Sequence, residues 1–251
     1  VADFTLKEKR KKKKKKIKMN KFIFDVDGTL TPSRGRIDEK FERFFFDFCT
    51  NNHVYLVTGS DKSKTVEQVG VKIYNQCKRV YQCNGNDVYE GNTNIKTTDW
   101  QLPDLARTFL ISCEYESPFT LRTGNHIEER PGMVNFSVVG RNADSIERAK
   151  YVAYDTYENE RITISNAFNV MFPDLEAKVG GETGIDISPK GADKGQIVKD
   201  FNITRDNLYF FGDAMHKGGN DYPLKKVVNY SRHVSGWQNT WEYLTWFQDE
   251  G

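Results

Sequence analysis

Asp25 and Asp27 stand one residue apart, directly after the apolar run Phe22-Ile23-Phe24 and before Gly28-Thr29-Leu30. An apolar run that ends in a glycine turn suits a strand buried on both faces of a parallel sheet, with its carboxyl end opening on a ligand crevice. Two carboxylates at that point can divide the labour: one attacks or binds metal while the other handles a proton. A second run, Val54-Tyr55-Leu56-Val57, ends in Thr58-Gly59-Ser60-Asp61. That brings hydroxyls and free backbone N–H groups to a helix start, which suits a phosphate, although Ser60 or Asp61 would serve equally as a plain N-cap. A third run, Leu208-Tyr209-Phe210-Phe211, passes into Gly212-Asp213, and Asp221 comes eight residues later in Gly218-Gly219-Asn220-Asp221.

In a parallel sheet all such strand ends face one edge, so Asp25, Asp27, Thr58, Lys194, Asp213 and Asp221 can converge on one crevice. Carboxylates gathered there repel one another and call for a cation. Ligation by hard oxygen donors points to Mg2+.

Periodicity marks the helices and strands that would hold these groups. Ile37, Phe41, Phe44, Phe45 and Phe48 recur with helical spacing, and Asp38 lies near the start of that helix. Val80 to Cys83 reads as a further strand, and Asp193-Lys194-Gly195 opens a helix. Between residues 88 and 188 the pattern changes: Leu105–Tyr115 and Ser145–Tyr157 read as helices, Met133–Val139 alternates, and Asn169–Phe172 reads as short and extended. This is an α+β module set into an α/β chain. Within it, residues 130 to 141 read as one strand with an arginine at each end. Val134, Phe136 and Val138 share one face; Asn135, Ser137 and Arg141 share the other. With Arg148 on the next helix, three guanidinium groups form a candidate clamp for a dianionic phosphate.

Asp25-Val26-Asp27-Gly28-Thr29, the Thr58 hydroxyl, Lys194 and the Gly212-Asp213…Asn220-Asp221 element resemble, in order and spacing, the haloacid dehalogenase superfamily, whose phosphotransferases use an aspartyl nucleophile. With Arg34, the Arg130–Arg141 segment, Arg148, Gly180-Gly181, Asp186 and Asp193-Lys194, the stretch from Met19 to about Asp221 is similar to the eukaryotic-type phosphomannomutase family. The resemblance implies a haloacid-dehalogenase-like parallel sheet core (residues 19–87 and 189–251) with an inserted α+β cap (88–188). It implies Asp25 as nucleophile and Asp27 as general acid/base, with Lys194 and Thr58 assisting. Arg34, Arg130, Arg141, Arg148, Asp186, Asn135 and Ser60 are the implied substrate contacts. Mg2+ is implied between Asp213, Asp25 and the carbonyl of Asp27, with Asp221 beside it. The implied reaction interconverts hexose 6-phosphate and hexose 1-phosphate through an aspartyl-phosphate, with a hexose 1,6-bisphosphate as activator. A sugar-phosphate phosphatase on the same fold is the alternative.

Three positions depart from the family pattern. Gly184 stands in place of a substrate-contacting serine, Val138 in place of a proline and Thr58 in place of a glycine. Lys225 and Val227 fall where a second cation loop is expected, and Val227 lacks its carboxylate. A homodimer through the cap is a further implication of the resemblance.

Charge distribution narrows the alternatives. The net charge of +2 combines +8 on residues 1–18, which include Lys11 to Lys16, with −6 on residues 19–251. The body is therefore mildly acidic, and a nucleic-acid surface spread over the fold is disfavoured. Residues 1–18 have little to bury and read as a disordered basic extension ahead of Met19. No apolar run approaches the ~20 residues of a membrane span, and no apolar segment of a signal peptide comes after the basic start. The four cysteines form no CxxC pair, so neither a zinc cluster nor a disulfide framework is expected, and a cytoplasmic setting is.

Overall fold

The apolar run ahead of Asp25 forms β1 (Met19–Phe24), and its last three side chains are buried on both faces of a sheet. The structure is a computed structural model that describes residues 18–249. The basic extension read at residues 1–18 lies, apart from Lys18, outside the described residues.

After β1 the chain alternates through α1 (Glu39–Asn51), β2 (His53–Val57), α2 (Lys62–Gln76) and β3 (Arg79–Gln82). Asp38 caps α1 by accepting from the N–H groups of Lys40 and Phe41, and Asp61 caps α2 by accepting from Lys64 N–H. These contacts satisfy donors that a helix start leaves without partners. Phe41, Phe45 and Phe48 then fall on one face of α1 and pack with Phe22 and Phe24 of β1. Each buried ring contributes about 1.5–3 kcal/mol. Two further strands come next, β4 (Asp87–Glu90) and β5 (Thr93–Thr97).

A second group of elements begins there: α3 (Asp104–Glu116), β6 (Ile127–Arg130), β7 (Met133–Phe136), α4 (Ser145–Glu158), α5 (Glu160–Met171), β8 (Leu175–Gly180) and β9 (Gly184–Pro189). The chain then returns through a 3-10 helix (Lys194–Asp200), β10 (Asp206–Gly212), the short α6 (Tyr222–Lys225), β11 (Tyr230–His233) and α7 (Trp237–Asp249).

Among the described residues, seven strands make the larger sheet, in the order β11-β10-β1-β2-β3-β4-β5. Its first five strands run parallel, while β4 and β5 add antiparallel. From β1 the chain builds outward through β2 and β3, and later returns on the other side as β10. The carboxyl end of β1 is thus the switch point where such sheets hold ligands. The smaller sheet, β6-β7-β9-β8, is antiparallel. One face of it packs Val134, Phe136 and Ile187 against Leu110, Tyr151 and Phe168 of α3, α4 and α5. Asn135 and Asp186 are in register on neighbouring strands, and their side chains line the cavity that faces the larger sheet.

Several expectations change. The boundary placed at residue 88 falls inside the larger sheet, which continues through β4 and β5 to Thr97. The segment 130–141 is not one strand: β6 ends at Arg130, and the chain turns through Pro131-Gly132 into β7. Pro131 lacks the N–H a strand interior needs, and Gly132 takes a φ of +65°, favoured by glycine. Asn169–Phe172 is not extended; it continues α5 to Met171, with Ile164, Ser165 and Phe168 buried along that helix. Lys194 does open a helical segment, capped by Asp193, and it is a 3-10 turn.

Candidate active site

Asp25 follows β1, Asp213 follows β10, and Asp221 lies at the start of α6. One carboxylate oxygen from each lies within 4.8 Å of the others. Lys194 Nζ reaches into the group, donating to Asp25 Oδ1 at 2.6 Å and to Asp221 Oδ1 at 2.8 Å. Asp25, Asp221 and Lys194 are all but inaccessible to solvent. Burial pushes the Asp25 carboxyl well above the usual range. Lys194 pulls it back in part, and Asp221 and Asp213 push it further up. Burial and then Asp221 raise Asp213 likewise. Burial alone would lower Lys194, but the charges of Asp221 and Asp25 outweigh it and keep the ammonium charged. One ammonium against three carboxylates leaves negative charge unbalanced, and the donors are all hard oxygens, so the residues fit a divalent cation of the Mg2+ type. Asp221 already accepts from Lys194 and, through Oδ2, from Ala214 N–H at 3.1 Å. Asp25 and Asp213 are thus the residues that would hold such a cation first. Gly28, with φ +71°, lets the turn pass against the Asp213 carboxylate, where a Cβ would collide with it.

The Asp27 carboxylate is not part of this group; the resemblance implied only its backbone carbonyl as a cation ligand. Its Oδ1 accepts from Arg34 N–H at 2.6 Å and from Gln68 Nε2 at 2.9 Å, while Oδ2 faces Ser60 Oγ at 3.5 Å. The two-residue spacing explains this: Asp27 lies beyond the strand end, in the turn that Thr31 closes by a bridge to it. Thr58 is buried at the end of β2, and its Oγ1 accepts from Ser60 N–H at 3.1 Å. Both hydroxyl residues line the same cavity as Asp25 and Asp27.

That cavity has a volume of about 1140 Å³ and opens between the two sheets. Arg34, Arg130, Arg141 and Arg148 also line it, together with Asn135 and Asp186. Arg130 Nη1 donates to the Gly59 carbonyl at 2.7 Å, joining the smaller sheet to the loop that carries Thr58 and Ser60. Arg148 is held by Thr183 Oγ1 at 3.1 Å and Glu182 at 2.8 Å. Burial lowers the Arg34 guanidinium, and the like charges of Arg141 and Arg148 lower it further. Asn135 donates to Asp186 at 2.6 Å. A Cβ on Gly184 would lie 2.7 Å from that Asn135 amide, so the glycine makes room for this hydrogen bond.

Two residues that sequence reasoning passed over complete the site. Glu128 Oε1 accepts from Arg130 Nε at 3.0 Å and Oε2 from Arg141 Nε at 2.5 Å, so one carboxylate braces both arginines by their side edges. Burial alone would raise Glu128, yet its hydrogen bond to Arg130 and the charges of Arg130 and Arg141 hold it at about 2. Its place two residues before Arg130, on the same face of a strand, was a readable signal. Gln68 is a buried polar residue on the packed face of α2, beside Thr65 and Val69, and that was its signal.

A mainly parallel sheet with an aspartate pair at its switch point, beneath a smaller sheet that bears arginines, defines the haloacid-dehalogenase-like α/β class. Solved structures agree on the fold. An IMP-nucleotidase of Plasmodium falciparum superposes with a TM-score of 0.65 at 16% identity, covering 92% of this chain and 68% of its own. A subclass IIB sugar phosphatase of the same superfamily superposes at 0.58 and 14% identity, covering 92% and 99%. Residues 41–244 match the family model of eukaryotic phosphomannomutase. Phosphomannomutase of Encephalitozoon cuniculi is 32% identical over 213 residues, 81% of this chain and 83% of its own length. That of Saccharomyces cerevisiae is 30% identical over 235 residues, 89% of each. The chain belongs to the eukaryotic phosphomannomutase family and is a phosphotransferase of that type.

Proposed function

We propose that the protein is a Mg2+-dependent mutase that interconverts mannose 6-phosphate and mannose 1-phosphate through a phosphorylated Asp25. The observation that carries this reading is a single cavity lined both by residues of a carboxylate cluster and by four arginines. A phosphatase needs to grip one phosphate. A mutase must handle a reacting phosphate and an unreacting one in the same pocket, and must accept the substrate in two orientations.

Asp25 attacks the phosphorus of a hexose 1,6-bisphosphate. The new bond forms to its carboxylate, and the bond from phosphorus to the sugar oxygen breaks. Asp27 gives its proton to that departing oxygen. Lys194 offsets the charge of the cluster, and the hydroxyls of Thr58 and Ser60 stand where they can donate to the transferred group. Mg2+, held by Asp25 and Asp213 with the Asp27 carbonyl and with Asp221 in support, would supply further electrostatic stabilisation of that group. Arg34, Arg130, Arg141 and Arg148 hold the distal phosphate, while Asn135 and Asp186 meet the sugar hydroxyls. The free 6-hydroxyl of an incoming hexose 1-phosphate then attacks the phosphorus of the aspartyl-phosphate while Asp27 takes its proton, which frees Asp25 and forms the 1,6-bisphosphate. After that bisphosphate turns over, Asp25 takes the phosphoryl group from its C1 oxygen and hexose 6-phosphate leaves. The smaller sheet and its helices act as the cap that keeps water from that intermediate. Exposed Leu105, Ile111 and Tyr115 on α3 give this cap apolar surface for pairing two copies.

The buried Thr58 hydroxyl favours a second reading, a sugar-phosphate phosphatase. One incubation separates the two. With Mg2+ and mannose 1-phosphate, with and without a hexose 1,6-bisphosphate, a mutase forms mannose 6-phosphate without releasing phosphate. Release of free phosphate alone would support the phosphatase.

A further inference from the structure

Gln68 lies on α2, 1% exposed, and uses its side chain and its backbone toward the same loop. Nε2 donates to Asp27 Oδ1 at 2.9 Å and to Thr31 Oγ1 at 3.3 Å. The orientation of this amide is dictated by its neighbours. A carboxylate oxygen can only accept, and Thr31 Oγ1 already donates to the Val26 carbonyl, so the nitrogen must face both. The Gln68 carbonyl accepts from Ile37 N–H at 2.9 Å. It is free to do so because Gly70, with φ +79°, breaks the helix two residues later. The loop between these anchors carries Arg34, a non-glycine residue held at φ +54°, whose N–H gives Asp27 Oδ1 its second donor. The Gln68 Oε1, by contrast, is buried without a partner among the described residues. The residue is therefore placed for its donor edge.

Resting on the phosphoryl-transfer reading above, we propose that Gln68 is a positioning residue that selects which oxygen of Asp27 exchanges the proton with the sugar. Two donors occupy Oδ1 and stop the carboxyl group from turning. Among the described residues Oδ2 meets only Ser60 Oγ, at 3.5 Å, and Asp27 lines the cavity, so Oδ2 is the oxygen left for the sugar. A carboxyl group free to rotate spends part of its time with the wrong oxygen forward. General acid catalysis depends on alignment with the departing oxygen, and that alignment is what the amide supplies.

The test compares wild type with Gln68→Met, which keeps the length of the side chain, removes both N–H donors and also removes the unpartnered Oε1. Two monoesters separate positioning from mere structure. Mannose 1-phosphate expels a poor leaving group that needs a proton; p-nitrophenyl phosphate expels p-nitrophenolate, which does not. The expected result is a fall in kcat of about tenfold to a hundredfold with mannose 1-phosphate, with KM little changed, and a far smaller fall with p-nitrophenyl phosphate. Equal losses on both esters, or no loss on either, overturn the proposal.

If the wild type isomerises no hexose phosphate, the mutase reading falls, yet the same comparison run as phosphate release still decides the role of Gln68. A measurement free of turnover covers the remaining case. The Gln68 side-chain amide signal in an NMR spectrum should shift in Asp27→Ala, and an unmoved signal overturns the proposal.

Discussion

Lys194 Nζ lies 2.6 Å from Asp25 Oδ1, across 169 residues of sequence. Both groups are buried, and the ammonium also holds Asp221. The contact joins β1 to the segment after the inserted elements, so it ties together the two halves of the larger sheet's site. Removing one partner of a buried ion pair leaves charge uncompensated, which costs about 3–5 kcal/mol. Lys194→Ala should lose about that much stability in denaturant unfolding, and Mg2+ should restore part of it by shielding the carboxylates.

Asp25→Asn should lower phosphoryl transfer at least about a thousandfold, because the amide is a poor nucleophile. The fold should survive, since an amide oxygen can still accept from Lys194. Thermal stability should rise, because a carboxyl whose burial works against ionisation is replaced by a neutral group. Intact-mass detection of the phosphoprotein, together with a melting curve, checks both halves.

Mg2+ should raise the melting temperature in a concentration-dependent way, since a ligand of the folded state alone stabilises by about 2.7 kcal/mol at a hundred times its Kd. Asp213→Asn should blunt that rise. A melting temperature that ignores Mg2+ would argue against the cation site.

Arg141 reaches the cavity from the smaller sheet, with its Nε edge held by Glu128. A charge-assisted contact to phosphate is worth about 1.5–3 kcal/mol. Arg141→Ala should therefore raise KM for hexose phosphates by roughly tenfold to a hundredfold, and Asp25 should remain phosphorylatable at saturating bisphosphate. Steady-state kinetics alongside phosphoprotein formation tests this split.

Glu128 is held at about 2 in the folded chain against an ordinary value of 4.5. A depressed carboxylate contributes stability that is fully present above about 4.5 and is lost as the pH falls through about 2. The stability difference between wild type and Glu128→Gln should be constant above about pH 5 and close progressively toward pH 2, as read from urea unfolding at a series of pH values.

Much of the core of the site was legible in linear order. Phe22-Ile23-Phe24, Val54 to Val57 and Leu208 to Phe211 are continuous apolar runs, which mark strands buried on both faces. The residues just past each run therefore sit at the sheet edge where ligands bind, and Asp25, Thr58 and Asp213 were found in that way. The α1 phenylalanines and the Asp38 cap were readable from local periodicity and local hydrogen bonding. Residues 130–141 were harder, because strand alternation carries across Pro131-Gly132 without marking the reversal. Asn169–Phe172 is too short for its period to separate a strand from the last turn of a helix.

The sequence by itself determined the chemistry available and the order in which it arrives, because residue type, burial pattern and spacing are local properties. Tertiary structure alone decided the pairing: that Lys194 sits between Asp25 and Asp221, that Asp27 turns away from the carboxylate cluster toward Gln68 and Arg34, and that Glu128 braces Arg130 and Arg141. Those contacts depend on crossovers and sheet register, which bring distant residues within a hydrogen-bond range of about 3 Å. A shift of one residue in β6 would send Glu128 and Arg130 to the opposite face.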